Sequence, residues 1–192
     1  MRFLKVLIVC LFLSACFLGT SQNAKFYTLT SLNEPVVSKK CDCFVGVARV
    51  QLPKYMDRPQ IVTQSKDTPE MIVSEYNRWV EAPAILTTRI LTEDLNALLP
   101  SAQIKMRQNV AENFNAVVSV EVIKMNAVLG QKADLDAWFV IKDKVGNLLA
   151  RQKFSKSAQI GKNYDDMING YSSLWSQLAQ SIADYLKKCR SE

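Results

Sequence analysis

The sequence predicts an α/β fold of the α+β kind, with a mainly antiparallel sheet and two long helices packed on it. Apolar residues recur at steps of three or four over residues 83–99 and again over 164–187, which is the helical period. Between residues 116 and 155, strand-length segments alternate or run apolar and are separated by turn-forming residues. We expect these elements to form a single domain.

The first part of the chain contains short extended segments. Phe26–Thr30 is rich in aromatic and β-branched residues, which is typical of a strand. Apolar residues dominate from Phe44 to Leu52, and Pro53 ends this second strand because proline lacks the N–H that a sheet needs. Residues 33–40 are predicted to form a loop, 54–59 a turn-like connection, and 60–63 and 71–74 two further extended pieces.

Prolines delimit the first predicted helix. Pro83 is tolerated in a first helical turn, and Pro100 stops the helix. Between them, apolar residues lie near helical spacing at Ile90, Leu91, Leu95 and Leu98.

The middle of the chain predicts an antiparallel meander. Its three strands are expected at residues 116–123, 134–141 and 148–155. Gly130 and the segment 145–147 lie between them, where turns are needed.

The C-terminal helix has the clearest pattern. Asn163 is placed to cap it, Asp165 and Asp166 lie at its positive N-terminus, and Lys187 and Lys188 at its negative end. Its apolar stripe is interpreted as core rather than as a binding face, because the preceding strands need a helix to cover them. The stripe consists of Tyr164, Ile168, Tyr171, Trp175, Leu178, Ile182 and Tyr185.

The N-terminus has the pattern of a lipoprotein signal peptide. Arg2 and Lys5 precede an apolar run of about 13 residues, shorter than the roughly 20 that span a membrane. The run ends in Leu13-Ser14-Ala15-Cys16, a lipobox in which the thiol of Cys16 accepts diacylglycerol. The alternative is an ordinary signal peptide with Cys16 as a bystander. The predicted organisation is a signal peptide at 1–15, a lipidated tether at 16–25 and a periplasmic domain at 26–192.

The residue after the lipobox bears on location. Phe17 stands where enterobacterial-type lipoproteins kept at the inner membrane favour Asp. Similarity to those lipoproteins therefore implies the outer membrane, with the domain on its periplasmic face. Several acyl chains on one cysteine would hold the protein there durably.

Composition argues against several function classes. The chain has 24 basic and 18 acidic residues, without a run of five basic residues, so a nucleic-acid partner is not expected. It has no histidine, which excludes Ser-His-Asp and Cys-His hydrolase machinery and removes the commonest zinc ligand. Asp165-Asp166 is better explained by a helix start than by an acid–base pair. We expect no enzyme, no metal site, and no cofactor beyond the covalent diacylglycerol and N-acyl chain on Cys16.

Three cysteines remain in the predicted domain. Cys41 and Cys43 point to the same face if their segment is extended, and therefore pair poorly with each other. Either of them could form a disulfide with Cys189 and tie the two ends of the domain together. Unpaired thiols are the equally open alternative.

Five residues are candidate partner contacts. Tyr55, Asp57 and Arg58 lie in the turn before Pro59, and the alternative is a structural turn whose side chains satisfy nearby backbone groups. Arg78 and Trp79 are residue types common at interfaces, but a tryptophan before a helix is as often core.

Several short phrases occur in order along the predicted domain. They are Phe26–Leu29, Val47–Pro53, Tyr55, Asp57–Val62, Asn77–Pro83, Tyr164–Met167, Trp175–Ala179 and Ser181–Ala183. Taken together, they resemble the ABC-type transport auxiliary lipoproteins over nearly all of the predicted domain. This resemblance implies a small α/β domain without catalytic activity, working with an inner-membrane-anchored MCE-domain protein to move phospholipid or other hydrophobic molecules between the membranes. The cysteines at 41, 43 and 189 depart from the family pattern.

Three functions follow as alternatives. The leading hypothesis is an outer-membrane subunit that anchors and docks a periplasmic conduit and supports membrane integrity, and homo-oligomerisation is plausible for it. The second is a lipid carrier with an apolar pocket of several hundred cubic ångströms. The third is a structural lipoprotein that assists outer-membrane assembly.

Overall fold

A computed structural model describes residues 22–32, 43–109 and 112–188 of the chain. The predicted signal peptide, Cys16, the loop at 33–40, Cys41 and Cys189 lie outside these residues, so the lipidation and disulfide hypotheses stay predictions. The elements are β1 (Lys25–Tyr27), β2 (Phe44–Val47), β3 (Gln60–Gln64), β4 (Met71–Trp79), α1 (Pro83–Leu98), β5 (Gln103–Met106), β6 (Ala116–Val128), β7 (Lys132–Asp143), β8 (Leu148–Gln159) and α2 (Tyr164–Lys188).

The strands form two mixed sheets. The larger has the order β5-β2-β6-β7-β8 and the smaller β1-β4-β3. The long strands β6, β7 and β8 form the predicted antiparallel meander, and β3 pairs with β4 antiparallel. Parallel pairing joins β2 to β5 and β6, and β1 to β4. With two helices beside these sheets, the α+β prediction is confirmed.

Some predicted boundaries differ from the observed ones. The second strand ends at Val47, but its chain continues beside β6 through hydrogen bonds from Ala48 N to Val118 O (2.8 Å) and from Gln51 N to Val120 O (3.0 Å). Strand β4 continues to Trp79, five residues beyond the predicted extended piece at 71–74. Strand β5 was not predicted, because its four residues carry only a weak alternating pattern.

Two glycines make the turns of the meander. Gly130 and Gly146 have φ values of 77° and 94°, in the left-handed region that glycine enters without a steric penalty. Both lie where the sequence predicts turns, so that expectation is confirmed.

The hydrophobic core lies between the larger sheet and the two helices. The inward residues of β7 are all buried: Ala133, Leu135, Ala137, Phe139 and Ile141. Opposite them, α2 buries Tyr171, Trp175, Leu178 and Ile182, so the interpretation of its stripe as core is confirmed. Its end residues, Tyr164 and Tyr185, are half-buried.

Close packing of α2 on the sheet depends on a glycine. A Cβ added to Gly170 would lie 2.5 Å from Ile160 Cγ2 and 3.8 Å from the Cβ atoms of Ala133 and Ala158. The predicted cap of α2 is also confirmed, since Asp166 N donates to Asn163 Oδ1 (2.7 Å). None of the helices in the described part of the chain is long and apolar enough to cross a membrane.

Candidate interaction surfaces

The turn at residues 54–59 is fastened to the body of the domain. Met56 is buried, and its N–H donates to Pro53 O (2.8 Å). Asp57 Oδ1 accepts a hydrogen bond from Ala84 N (3.2 Å) in the first turn of α1. Asp57 thereby provides an acceptor for a backbone N–H in the first turn of α1. Ala82, the N-cap residue, has no side-chain acceptor that could do so. For Asp57, this contact supports the alternative of a structural turn.

The other candidate contacts fall into two groups. Trp79 is 4% exposed, which corresponds to the core alternative. Arg58 Nε donates to Gln60 Oε1 (3.2 Å), and Gln60 is the register partner of Arg78 across β3 and β4. Tyr55 is partly exposed, and its hydroxyl donates to Asn126 Oδ1 (2.9 Å). A partner-binding role for the exposed members of this set stays a prediction.

The N-terminal segment is held against both helices. Leu29 is buried, and Thr30 N donates to Ser172 Oγ (3.0 Å) on α2. Leu32 N donates to Asp94 Oδ1 (2.7 Å) on α1. The chain that follows the predicted lipid anchor is therefore tied directly to the helical layer.

Asp94 is the centre of this attachment. Its side chain is 0% exposed, and its second oxygen accepts from Ser176 Oγ (3.1 Å) on α2. Burial raises the pKa of Asp94, and the hydrogen bonds from Leu32 and Ser176 offset part of that rise. Sequence reasoning missed this residue. The available signal was a carboxylate beside Leu91, Leu95 and Leu98 on an otherwise apolar helix face.

The domain has two distinct ends along α2. At the N-terminus of this helix, the rings of Tyr27 and Tyr164 are 5.9 Å apart, and we call this the anchor-side end. At the other end, Tyr185 Oη donates to Gln152 Oε1 (3.2 Å), and we call this the far end. The 25 residues of α2 separate the two ends by about 37 Å at 1.5 Å per residue.

A groove of about 610 Å³ opens on the sheet face that the helices do not cover, at the far end. Its floor comes from β6 and β7, and its walls from the segment before β6 and from the β7–β8 turn. The lining residues are Arg107, Glu112, Asn113, Phe114, Val117, Ser119, Val140, Lys142, Asp143, Lys144, Gly146, Leu148 and Arg151.

The groove has an excess of positive charge. Among the described residues, Lys142, Lys144 and Arg151 form no salt bridge. The acidic groups are engaged locally. Asp143 Oδ1 accepts from Val145 N (2.9 Å) and Asn147 N (2.8 Å), and Glu112 Oε1 accepts from Asn109 N (3.1 Å). Desolvation acts to raise the pKa of Asp143, but its hydrogen bonds outweigh this and hold the pKa below its usual value.

Among the solved structures that are similar to this fold, two cover most of both chains. One is a protein of unknown function that is 18% identical, with a TM-score of 0.70, covering 85% of this chain and 98% of its own. The other comes from Xanthomonas campestris and is assigned to the family DUF330. It is 12% identical, with a TM-score of 0.68, covering 83% of this chain and 93% of its own. Both similarities show the fold. No curated protein sequence matches the chain.

A family model agrees with the resemblance seen in the sequence phrases. Residues 27–183 match the family described as "ABC-type transport auxiliary lipoprotein component", and they include every helix and strand except the first two residues of β1 and the last five of α2. This is a family of transport auxiliary lipoproteins rather than a known enzyme family. The chain belongs to the ABC-type transport auxiliary lipoprotein family.

Proposed function

We propose that this protein is the lipid-anchored, outer-membrane subunit of an MCE-type intermembrane lipid transport system. It would hold the end of a periplasmic conduit and so support membrane integrity. Within the family, its sequence phrases resemble PqiC, an auxiliary lipoprotein of a membrane-integrity system. Cys16 would carry the lipid anchor.

One observation carries the docking role: the segment after the anchor is fastened to the rigid body of the domain. Leu29 is buried, and two backbone donors reach Ser172 and Asp94 on different helices. An anchored segment that is held in this way limits how the domain can turn relative to the membrane. Such orientation suits a part that presents a fixed surface to a partner.

The carrier hypothesis is less well supported. The space under α2 is filled by large side chains, with Tyr171, Leu174, Trp175 and Leu178 all buried. The groove at the far end has the volume expected for a ligand site, but charged side chains line much of it. A lipid-carrying pocket would instead be mostly apolar.

Self-association is part of the proposal. A ring of identical subunits could hold the end of a conduit at the membrane. Such rings are built from repeated head-to-tail contacts between the subunits. Tyr55, which is exposed, and Arg58 and Arg78, which are half-buried, are proposed to contribute to contacts with a neighbouring copy or with the conduit.

In vivo photocrosslinking tests the function. A photoreactive amino acid is placed at Tyr55, Arg58 or Arg78 in the lipidated protein, and crosslinked proteins are recovered from the envelope and identified by mass spectrometry. We expect an MCE-domain protein together with self-crosslinks, both lost in a Cys16→Ala variant that cannot be lipidated. Recovery of outer-membrane assembly proteins alone would contradict the proposal and favour the structural alternative.

A further inference from the structure

We propose that the groove at the far end binds a protein segment of the transport partner that carries both acidic and apolar side chains. This inference deepens the proposed function and rests on it. It assigns a partner chemistry to a surface that none of the predicted contact residues lines.

The first observation is apolar exposure around the groove. In the β7–β8 hairpin, Val145 is 73% exposed, Leu148 59% and Leu149 42%. Leu148 lines the groove together with Val117, Val140 and Phe114. A contiguous apolar surface bordered by charges is typical of an interaction site, whereas single exposed apolar residues are ordinary.

The second observation is uncompensated positive charge. Four cations line the groove, and three of them, Lys142, Lys144 and Arg151, form no salt bridge among the described residues. The two carboxylates beside them accept hydrogen bonds from their own loops. On the same sheet face at the anchor-side end, by contrast, the lysines form ion pairs within the chain. The carboxylate of Asp134 lies 2.7 Å from Lys124 Nζ and 3.0 Å from Lys132 Nζ. Among the described residues, the far end therefore lacks the acidic partner that the anchor-side end supplies to its lysines.

The third observation is that one cation is already positioned. The guanidinium carbon of Arg151 lies 4.4 Å from the centroid of the Trp138 ring. Stacking on an aromatic ring restricts a flexible side chain, and a guanidinium can bind a carboxylate through two parallel hydrogen bonds. A carboxylate on an incoming segment would meet a group that loses little freedom on binding.

The position of the groove favours a protein over the membrane surface. Gln22 lines a shallow cleft with Asn163 and Tyr164, so the described chain starts at the anchor-side end. Six residue steps from Cys16 to Gln22 reach at most about 22 Å. This reach is shorter than the length of α2, so a domain standing on its anchor-side end holds the groove away from the anchoring membrane.

The test combines charge reversal with crosslinking in the envelope. A photoreactive amino acid replaces Leu148, alone or with the groove variant Lys142→Glu, Lys144→Glu and Arg151→Glu. The matched control reverses three exposed lysines elsewhere, by Lys54→Glu, Lys66→Glu and Lys162→Glu, and changes the net charge equally. Mass spectrometry then identifies the crosslinked molecule and maps the crosslinked peptide.

The expected result is a crosslink to a partner segment that contains Asp or Glu beside apolar residues. It should be lost in the groove variant and kept in the control. A crosslink to phospholipid, to a segment without acidic residues, or one that survives the groove reversal would overturn the inference. If Tyr55 and Arg58 still crosslink to the MCE-domain protein in that case, the proposed function stands without the groove.

A second experiment tests the inference without the transport partner, by measuring the binding of a peptide. The probe is a labelled ten-residue peptide of alternating Glu and Leu, added to the mature lipidated protein in mild detergent. We expect salt-sensitive binding that the groove variant weakens by at least about tenfold, with little change in the control. Equal binding of a Lys–Leu peptide, or no binding at all, would overturn the inference. Groove-dependent binding without any MCE-domain crosslink in cells would support the groove chemistry and contradict the proposed function.

Discussion

The two ends of this domain use polar and charged groups in opposite ways. At the anchor-side end, charged groups have partners within the chain, as Lys124 and Lys132 have in Asp134. At the far end, Lys142 and Lys144 have no such partner among the described residues, and several apolar side chains are exposed to solvent. The difference indicates that the anchor-side end stabilises the chain's own fold, while the far end is available for another molecule.

The largest expected effect comes from breaking the attachment of the N-terminal segment to the two helices with Asp94→Ala. The substitution leaves Leu32 N without its acceptor and removes the link from α1 to Ser176 on α2. Loss of a buried acceptor that bonds to both groups should lower the free energy of unfolding by about 2–3 kcal/mol. Urea denaturation measures this. Asp143→Ala, in the exposed turn at the far end, is the control and should cost much less. Equal losses for both variants would contradict the comparison.

The ion pairs at the anchor-side end predict a pH dependence. Burial alone would raise the pKa of Asp134, but hydrogen bonds from Lys124, Ser157 and Lys132 lower it to about 2. Because the folded pKa lies below the unfolded one, this carboxylate stabilises the fold above about pH 4, and the contribution is lost as the pH falls towards 2.

Asp134→Asn should therefore cost on the order of 1–2 kcal/mol at pH 7 and progressively less at lower pH. We expect the difference between the denaturation midpoints of the variant and the wild type to become smaller as the pH falls from 7 to 2. A constant difference across this range would indicate that packing, rather than the ion pairs, accounts for the loss.

Asp94 should show the opposite sign. Its pKa is raised by burial despite its two hydrogen bonds, so the folded state holds its proton more tightly than the unfolded state does. Its contribution to stability is fully present below the ordinary carboxyl pKa and decreases as the pH rises through the raised folded value. In Asp94→Asn, stability should rise relative to wild type as the pH increases through that range. A parallel pH profile in the two proteins would contradict this assignment.

A smaller effect is expected in the core between the two ends. Among the described residues, the hydroxyl of Tyr171 and the indole nitrogen of Trp175 are buried without a hydrogen-bond partner. Burial raises the pKa of Tyr171 strongly, so its hydroxyl stays protonated. Tyr171→Phe should change stability by between zero and about 1 kcal/mol in the stabilising direction, because it removes an unsatisfied polar group. Thermal unfolding measures it, and a marked loss of stability would show that the hydroxyl has a partner.

The smallest effect on stability should come from the far end itself. Lys142→Glu and Lys144→Glu remove no internal ion pair among the described residues, so each change should stay within about 0.5 kcal/mol. Arg151→Glu also removes the stacking on Trp138, which is worth about 0.5–1 kcal/mol at an exposed site. Thermal unfolding of the groove variant and of its matched control should differ by no more than this stacking contribution. A large loss in the groove variant alone would mean that these cations stabilise the fold, which would remove the contrast between the ends.

Elements that depend on local pattern were predictable from the order of residues alone. Helical periodicity located α1 and α2 nearly to the residue, and the alternation of apolar residues located the meander. Asn163 and the two turn glycines were predictable because capping and left-handed turns are chosen by residue type within a few positions. The family was also recognisable from ordered phrases that are now matched over residues 27–183.

Contacts between segments that are distant in sequence became visible only in the folded domain. Asp94 bonds to residues 62 positions before it and 82 after it, and β2 pairs parallel with β5 and β6. Trp79 is core rather than surface because of what packs on it, not because of its neighbours in sequence. The groove exists because the segment before β6 and the β7–β8 turn rise on the same sheet face. Local propensity has no information about such contacts, because their free energy arises only when the whole core assembles.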